Sequence, residues 1–167
     1  MKSRDYVLAN LISWSLIGII QVIILLIVAV LIGYHWQGGL ISMIYAIILG
    51  IITTISSVAL SMIIVSLSKS VEQATNLAPI IVVPLSFLAG SFFPMKGFDL
   101  FTINGYTVDI LEISPWYQAT QGFTSILTYG NGLMEILPRL VVILLMGLIL
   151  LAIAMILFNR KLNRLNN

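Results

Sequence analysis

Residues 6–68 read YVLANLISWSLIGIIQVIILLIVAVLIGYHWQGGLISMIYAIILGIITTISSVALSMIIVSLS, and none of these 63 residues is Asp, Glu, Lys or Arg. A helix rises about 1.5 Å per residue, so about 20 apolar residues cross the 30 Å hydrocarbon core of a bilayer. The run is too long for one crossing, and it contains the turn-forming pair Gly38-Gly39. It therefore predicts two membrane-spanning helices, Leu11 to Tyr34 and Leu40 to Leu67, that form a hairpin.

Two shorter uncharged runs follow, residues 73–95 and 140–159. We expect a third span from Ala74 to Pro94 and a fourth from Leu137 to Phe158. All four must be helical, because lipid offers the backbone no hydrogen-bond partner. The prediction is an all-α, polytopic membrane protein with four transmembrane helices in a single transmembrane domain, residues 1–167.

The third and fourth spans are joined by an external loop, residues 95–136. Within it, Pro115 to Leu127 contains enough apolar residues to form one or two short helices. We expect these helices to lie at the membrane interface or to re-enter the membrane.

The composition of the whole chain agrees with a membrane protein. Hydrophobic residues make up 60% and charged residues 8%, and the mean hydropathy is +1.12, whereas a soluble domain is about 25% charged. A water-facing globule is therefore excluded. The eight basic residues are scattered along the chain, so no nucleic-acid partner is expected. The chain has no cysteine, which excludes disulfides and thiolate metal sites.

The placement of the basic residues predicts the orientation. Lys and Arg concentrate on the cytoplasmic flanks of spans. With both termini in the cytoplasm, only Lys96 and Arg139 flank the outer side. The other six basic residues are then inside: Lys2, Arg4, Lys69, Arg160, Lys161 and Arg164. We predict a multi-pass protein of the cytoplasmic membrane.

Motifs for catalysis are missing from the sequence. No glycine is followed by lysine, so the chain has no GxxxxGK loop for ATP phosphates. The single histidine, His35, lies between Tyr34 and Trp36 at the end of a span, and we interpret it as an interfacial anchor in preference to a metal ligand. No recognisable nucleophile, metal-ligand set or carboxylate pair is present. We therefore expect neither a metal site nor an enzyme.

The spans themselves are almost free of charge. We place no Asp, Glu, Lys or Arg inside any span, counting Arg139 with the outer flank of the fourth. Coupling to a proton or sodium gradient is therefore not expected. Gln21 is the one strongly polar residue deep in the first span. We favour an interhelical hydrogen bond for Gln21 over contact with a substrate.

Two spans carry distinctive patterns. In the third span, Pro79 and Pro84 each remove a backbone donor and predict a kink, which serves either the architecture or a gate. In the second span, small residues recur every three or four positions and share one helical face. We expect close helix packing there, with a hydroxyl-lined translocation surface as the alternative: Ala46, Gly50, Thr53, Ser57 and Ser61.

The most distinctive string is PLSFLAGSFFP at residues 84–94, which runs from the middle of the third span to its outer end. It resembles the SGxFFP pattern that ends the penultimate span in the permease subunits of type-2 ABC exporters. Ala89 stands where that pattern has serine, and the other positions match: Gly90, Phe92, Phe93 and Pro94.

Other features resemble the same family. Residues 114–117 read SPWY, similar to the family's NP-x-x-Y segment but with serine in place of asparagine. Residues 3–6 resemble the approach to the family's third span, and Arg160-Lys161 resembles the basic end of its last span. The resemblance covers nearly all of this chain and about the last two thirds of a six-span family subunit. The N-terminal part of the usual subunit is thus absent from this sequence, as in a fragment, a split gene or a shortened product.

The resemblance implies a permease component of an ATP-driven ABC exporter. Its substrates would be amphipathic or lipid-soluble: drugs, as in multidrug resistance, antibiotics, peptides or lipids. The implied partners are a cytoplasmic ATPase that carries ATP and Mg, a second permease copy or the missing N-terminal half, and membrane lipid. The alternative function is a non-transporting membrane scaffold or immunity protein that associates through the small-residue face of the second span.

Two groups of site residues follow from the resemblance. The outer-gate candidates are Gly90, Phe92, Phe93 and Pro94. The ATPase-contact candidates are Arg4, Asp5, Lys69 and Glu72, for which a solvated flank is the alternative interpretation.

Overall fold

The computed structural model describes residues 3–35, 37–93, 97–103 and 106–165. Five helices, a two-stranded sheet and one 3-10 turn follow in chain order: α1 (Ser3–Leu31), α2 (Gly39–Leu67), α3 (Val71–Leu88), β1 (Asp99–Ile103), β2 (Tyr106–Asp109), the 3-10 turn (Ile110–Ile113), α4 (Pro115–Leu127) and α5 (Leu133–Leu165). Among the described residues, four helices are long and apolar enough to cross a membrane: Ala9–Leu31, Gly39–Leu67, Val71–Leu88 and Leu133–Lys161. The predicted all-α, four-span fold class is thus confirmed.

The first turn of the bundle, between α1 and α2, is made by glycines. Gly33 has φ +89°, and the N–H groups of Gly33 and Tyr34 donate to the carbonyl oxygens of Val30 and Ala29. This is a Schellman cap, which satisfies the last carbonyls of α1 where the chain leaves the helix. The next helix, α2, begins at Gly39.

The α1–α2 pair is antiparallel and closely packed. A Cβ atom on Gly50 would lie 2.9 Å from Val22 Cγ2, and one on Gly18 would lie 2.9 Å from Thr54 Oγ1. Positions that increase along α1 therefore meet positions that decrease along α2. Glycine at these two sites lets the helices approach each other closely, as small residues do at helix interfaces in membranes.

Helix α5 packs parallel to α2. Ser56 Oγ donates a 3.4 Å hydrogen bond to the Ile143 carbonyl oxygen, Ala154 packs in a cluster with Met62, and Lys161 Nζ donates to the Ser68 carbonyl oxygen. We call the end near Ser68 and Lys161 the lower end of the bundle. The opposite end, near Gly38 and Gly130, is the upper end.

The short helix α4 lies between α2 and α5. Ala119 and Ile126 are buried in one apolar cluster with Leu49 and Ile143, and a Cβ atom on Gly122 would lie 2.8 Å from Leu49 Cδ2. A helix packed this deeply has left the membrane surface. Of the two positions predicted for the segment 115–127, the structure therefore supports re-entry.

The direction of α4 follows from its two ends. Trp116 Nε1 donates a 3.2 Å hydrogen bond to Ser57 Oγ, and the turn after α4 places Gly130 beside Gly38 at the upper end. Ser57 lies 18 residues after Gly39, which is about 27 Å along α2. The N-terminus of α4 is therefore deep in the bundle, and the helix rises from there to the upper end.

The segment between α3 and α4 contains a feature absent from our prediction. Strands β1 and β2 pair antiparallel, with Thr102 opposite Thr107 and an irregularity between Asp99 and Phe101. The Asp109 carboxylate then accepts hydrogen bonds from the N–H groups of Gly97, at 2.6 Å, and Leu111, at 2.8 Å. This carboxylate ties the base of the hairpin to the 3-10 turn that leads into α4.

Candidate functional site

A cavity of about 690 Å³ lies between α1 and α2. The apolar part of its lining includes Trp14, Ile17, Leu25, Val65, Phe123 and Phe158. Its polar residues are uncharged, and they come from the same two helices: Asn10, Gln21, Thr53, Thr54, Ser57 and Ser61. A volume of this size, mostly apolar with a few polar groups, is typical of pockets for drug-sized ligands.

The hydroxyl groups in the cavity share one hydrogen-bond pattern. Thr53, Ser57 and Ser61 each donate to the carbonyl oxygen four residues earlier on α2, at 2.8, 3.3 and 3.0 Å. Thr54 does the same to Gly50, at 2.8 Å. A hydroxyl has one donor and two acceptor lone pairs. With their protons used on the backbone, these side chains offer the cavity acceptors.

The predicted packing face of α2 divides into two parts. Ala46 is completely buried in the central cluster, and Gly50 contacts the region of Val22. Further along, Thr53, Ser57 and Ser61 line the cavity. The face thus packs against a helix at its upper part and borders open space at its lower part, so both interpretations of the pattern keep a structural basis.

Gln21 lies on the α1 side of the same cavity. Its side chain makes none of the hydrogen bonds found among the described residues, although Gln21 is at the same height in the bundle as Gly50 and Thr53 of α2. The interhelical hydrogen bond that we favoured for Gln21 is therefore not formed within the part of the chain that the structure describes.

The aromatic string at the end of α3 forms a ring cluster. The Phe87 and Phe92 ring centroids lie 4.7 Å apart, and that of Phe93 lies 5.9 Å from Phe87 and 6.4 Å from Phe92. Gly90 turns the chain with φ +71°, a left-handed conformation that favours glycine. Phe92 and Phe93 remain 63% and 57% exposed. The fourth gate candidate, Pro94, lies outside the described residues.

The position of this cluster is set by the length of α3. The helix has 18 residues, whereas α2 has 29, so α3 is about 27 Å long and α2 about 43 Å. A Cβ atom on Gly90 would lie 3.9 Å from Tyr117 Cε2. The cluster is therefore beside the N-terminus of α4, below the upper end of the bundle.

Both proline candidates lie inside α3, which continues from Val71 to Leu88. Each proline lacks the N–H that would donate to the carbonyl oxygen four residues earlier. The carbonyl oxygens of Thr75 and Ile80 therefore have no helical hydrogen-bond donor. No residue of α3 is buried. A bend at Pro79 or Pro84 would therefore meet little resistance from neighbouring side chains, and the kink stays a prediction.

The ATPase-contact candidates all belong to elements at the lower end. Lys69 and Glu72 are exposed at the α2–α3 turn. That turn is held by Ser70, whose Oγ accepts from the Gln73 N–H, while Gln73 Oε1 accepts from the Lys69 N–H. Arg4 and Asp5 belong to the first turn of α1, and their side chains lie outside the described part.

The sequence analysis did not predict a polar contact between Arg139 and Gln118. Arg139, which we counted with the outer flank, lies inside α5, and its Nη1 donates a 3.0 Å hydrogen bond to Gln118 Oε1. Gln118 is buried and donates through Nε2 to the Glu112 carbonyl oxygen at 2.8 Å. The correction has a physical reason: α4 re-enters the bundle and supplies a partner that makes the charge tolerable within the span.

Acidic side chains and the histidine do not gather in the described regions. Among the described residues, no group of three or more His, Cys, Asp or Glu side chains is placed to hold a metal ion. The described site is thus a cavity lined by uncharged side chains, with a separate aromatic cluster at the end of α3.

Four long apolar helices and an uncharged cavity between two of them define a multi-pass membrane protein. Residues 1–156 match the family model described as ABC-2 family transporter protein, so the chain belongs to that family. The resemblance drawn from the residues is confirmed. Comparisons with curated proteins and with solved structures found no match.

Family membership sets the coarse function. The chain is a membrane component of a transporter, a permease, and the family implies association with an ABC ATPase subunit. ABC-2 permeases are generally not catalytic.

Proposed function

We propose that this chain is the permease component of an ATP-driven exporter that moves amphipathic or lipid-soluble substrates across the cytoplasmic membrane. The main support for this proposal is the match to the ABC-2 transporter family over residues 1–156. ATP and Mg belong to the partner ATPase, because this sequence has no GxxxxGK loop.

The chemistry of the spans supports this substrate class. The cavity between α1 and α2 has no charged residue in its lining, and Arg139, inside the described span α5, donates a hydrogen bond to Gln118. A hydrophilic ion would have to give up its water without compensation. An amphipathic molecule loses less, because apolar side chains accept its hydrocarbon part.

The aromatic cluster is our proposed gate. Gly90, Phe92 and Phe93 follow α3 and precede Pro94 in the sequence, and both phenylalanine rings are exposed. The prolines Pro79 and Pro84 are not buried, and they let α3 bend beneath the rings. A second permease copy would face these rings across the route. Bending of α3 would then bring the rings together or part them, which is a small hinge motion.

The lower end is our proposed cytoplasmic face. It holds the first turn of α1, with Arg4 and Asp5, and the exposed turn with Lys69 and Glu72, so an ATPase docked there would reach all four. Since the chain has no cysteine, Glu72→Cys and Tyr129→Cys report the orientation cleanly. In intact cells an impermeant maleimide should label only the Tyr129→Cys variant. Labelling of both, or of Glu72→Cys alone, would refute the orientation.

The exporter proposal is tested by purifying the tagged chain from its host membrane. An ATPase should co-purify, and vesicles containing the complex should accumulate an amphipathic dye only with ATP. A partner set without an ATPase would favour the scaffold or immunity alternative.

The gate is tested in the same vesicles. Phe92→Ala/Phe93→Ala should change ATP-driven uptake or basal leak without lowering membrane insertion, because the ring cluster is lost. Phe98→Ala is the matched control, since Phe98 is 84% exposed and lies outside the ring cluster. Unchanged uptake and leak at normal protein levels would show that the rings are not a gate.

A further inference from the structure

The cavity between α1 and α2 is open at the side. On α1, Trp14 is 57% and Leu25 68% exposed, and on α2 Val65 is 49% exposed, although all three line the cavity. These residues lie on helices apolar enough to span a bilayer. The mouth of the cavity therefore faces the space that lipid fills.

The shape of the cavity is elongated. Its lining on α2 extends from Gly50 to Val65, 15 residues that correspond to about 22 Å. At the upper boundary, Leu25 lies three residues beyond the close contact between Gly50 and Val22. At the lower boundary, Phe158 of α5 and Val65 approach the helix ends. A volume of about 690 Å³ spread over this length suits an extended molecule better than a compact one.

The chemistry of the lining selects the ligand further. No lining residue carries a charge, so a charged group would be desolvated without a partner. Thr53 and Ser61 already donate their protons to backbone carbonyls, and Ser57 also accepts from Trp116. Thr53 and Ser61 therefore present acceptor lone pairs to the cavity, which a ligand satisfies with hydroxyl or amide N–H donors.

We propose that this cavity binds a neutral, single-chain amphiphile taken laterally from the bilayer, with hydroxyl or amide donors on its polar end. The polar end lies against Ser61, nearer the lower end of the bundle, and the chain extends past Ile17 and Thr53 toward Leu25. The site is distinct from the aromatic cluster on α3, and the proposal concerns binding alone. It holds whether or not the chain exports its ligand.

The test uses the full chain in phosphatidylcholine nanodiscs without ATP. The probe is a monoacylglycerol with a photoreactive diazirine in its acyl chain, and crosslinks are mapped by mass spectrometry. We expect saturable labelling at cavity residues such as Ile17 and Leu25. Unlabelled monooleoylglycerol should compete, whereas methyl oleate, which has the same chain but no donors, should not.

Two variants locate the polar end. Ser61→Phe should abolish saturable labelling because the ring occupies the place of the polar end, and Ser61→Ala should weaken competition by monooleoylglycerol about fivefold, the equivalent of one hydrogen bond. Ser86→Phe is the matched control, since Ser86 donates to a carbonyl four residues earlier on α3 but does not line the cavity. Size-exclusion profiles of all variants confirm that they are folded.

Three results would overturn the proposal. Labelling spread evenly over the lipid-facing surface would indicate ordinary lipid contact. Equal competition by methyl oleate would show that the Thr53 and Ser61 hydroxyl groups do not select the ligand. Labelling that disappears in the ATPase-containing complex would identify a protein segment as the occupant. None of these results bears on ATP-driven export, because none of the measurements uses ATP or follows transport.

Discussion

Lys161 Nζ, near the end of α5, donates a 2.8 Å hydrogen bond to the carbonyl oxygen of Ser68, the residue that caps α2. It donates a second bond of 2.8 Å to the Val65 carbonyl oxygen. The last carbonyls of a helix have no partner within the helix, and a cation there also favours the negative end of the helix dipole. This ammonium group therefore joins the end of α5 to the turn that precedes α3.

Removing this group should loosen the lower end of the bundle. We expect Lys161→Met to reduce the free energy of unfolding by about 1 to 2 kcal/mol, because two carbonyls lose a charged donor. The measurement is thermal unfolding followed by tryptophan fluorescence in detergent. The exposed neighbour Arg160 provides the control, and Arg160→Met should unfold at nearly the wild-type temperature. Equal shifts in both variants would mean that general charge, and not the bond to Ser68, is responsible.

Substitutions of Arg139 and Gln118 should have coupled, non-additive effects on the free energy of unfolding. Arg139→Met leaves the buried Gln118 Oε1 without its donor, and Gln118→Leu leaves the guanidinium without its acceptor. Each change should cost about 1 to 3 kcal/mol. The double variant should cost less than the sum, because both polar groups are gone. Unfolding of the four proteins in one detergent measures the coupling, and strictly additive losses would show that the hydrogen bond contributes little.

Gly50 should be sensitive to a single added methyl group. In Gly50→Ala the new Cβ would meet Val22 Cγ2 at 2.9 Å, and the β-branched valine has little rotamer freedom in a helix. The helices must separate, at a cost of about 1 to 3 kcal/mol. The rescue variant is Val22→Ala, which removes the obstructing methyl groups.

The Val22→Ala background should reverse the effect of Gly50→Ala on the free energy of unfolding. In the Val22→Ala background, Gly50→Ala should stabilise the protein by up to about 1 kcal/mol, because alanine is the better helix former. Thermal unfolding of the two alanine variants and their combination decides the outcome. A destabilising Gly50→Ala in both backgrounds would place the constraint elsewhere than at Val22.

Some features of the fold were readable from local sequence. The uncharged runs predict four helices because only satisfied backbone groups can remain in lipid. The hairpin was also readable but was missed: Asn104-Gly105 stands between Phe101-Thr102-Ile103 and Tyr106-Thr107-Val108, and Asn-Gly between β-forming residues is a strong hairpin signal. The early end of α3 was likewise signalled, since Gly90 favours the left-handed turn that the structure contains.

The candidate site was less predictable. The α2 pattern identified Thr53, Ser57 and Ser61 as one face, and helical geometry alone suffices for that. Whether such a face contacts a helix or borders a cavity depends on how far α1 stands from it. That distance is set by Gly18 and Gly50, which lie on different helices, so it cannot be predicted from a local sequence pattern. The partner of Arg139 was hidden for the same reason, because Gln118 is 21 residues away on a helix that re-enters the bundle.

By itself, the sequence determined that the chain resides in a membrane, that its spans are helical, and that a glycine turn separates the first two, since each depends on local hydropathy and backbone hydrogen bonding. Only the tertiary structure decided that α4 inserts between α2 and α5, that Arg139 and Lys161 reach carbonyl or amide oxygens of other elements, and that an uncharged cavity opens beside α1. Those outcomes depend on distances between helices that are remote in sequence, where packing among side chains, and not the local pattern, sets the free energy.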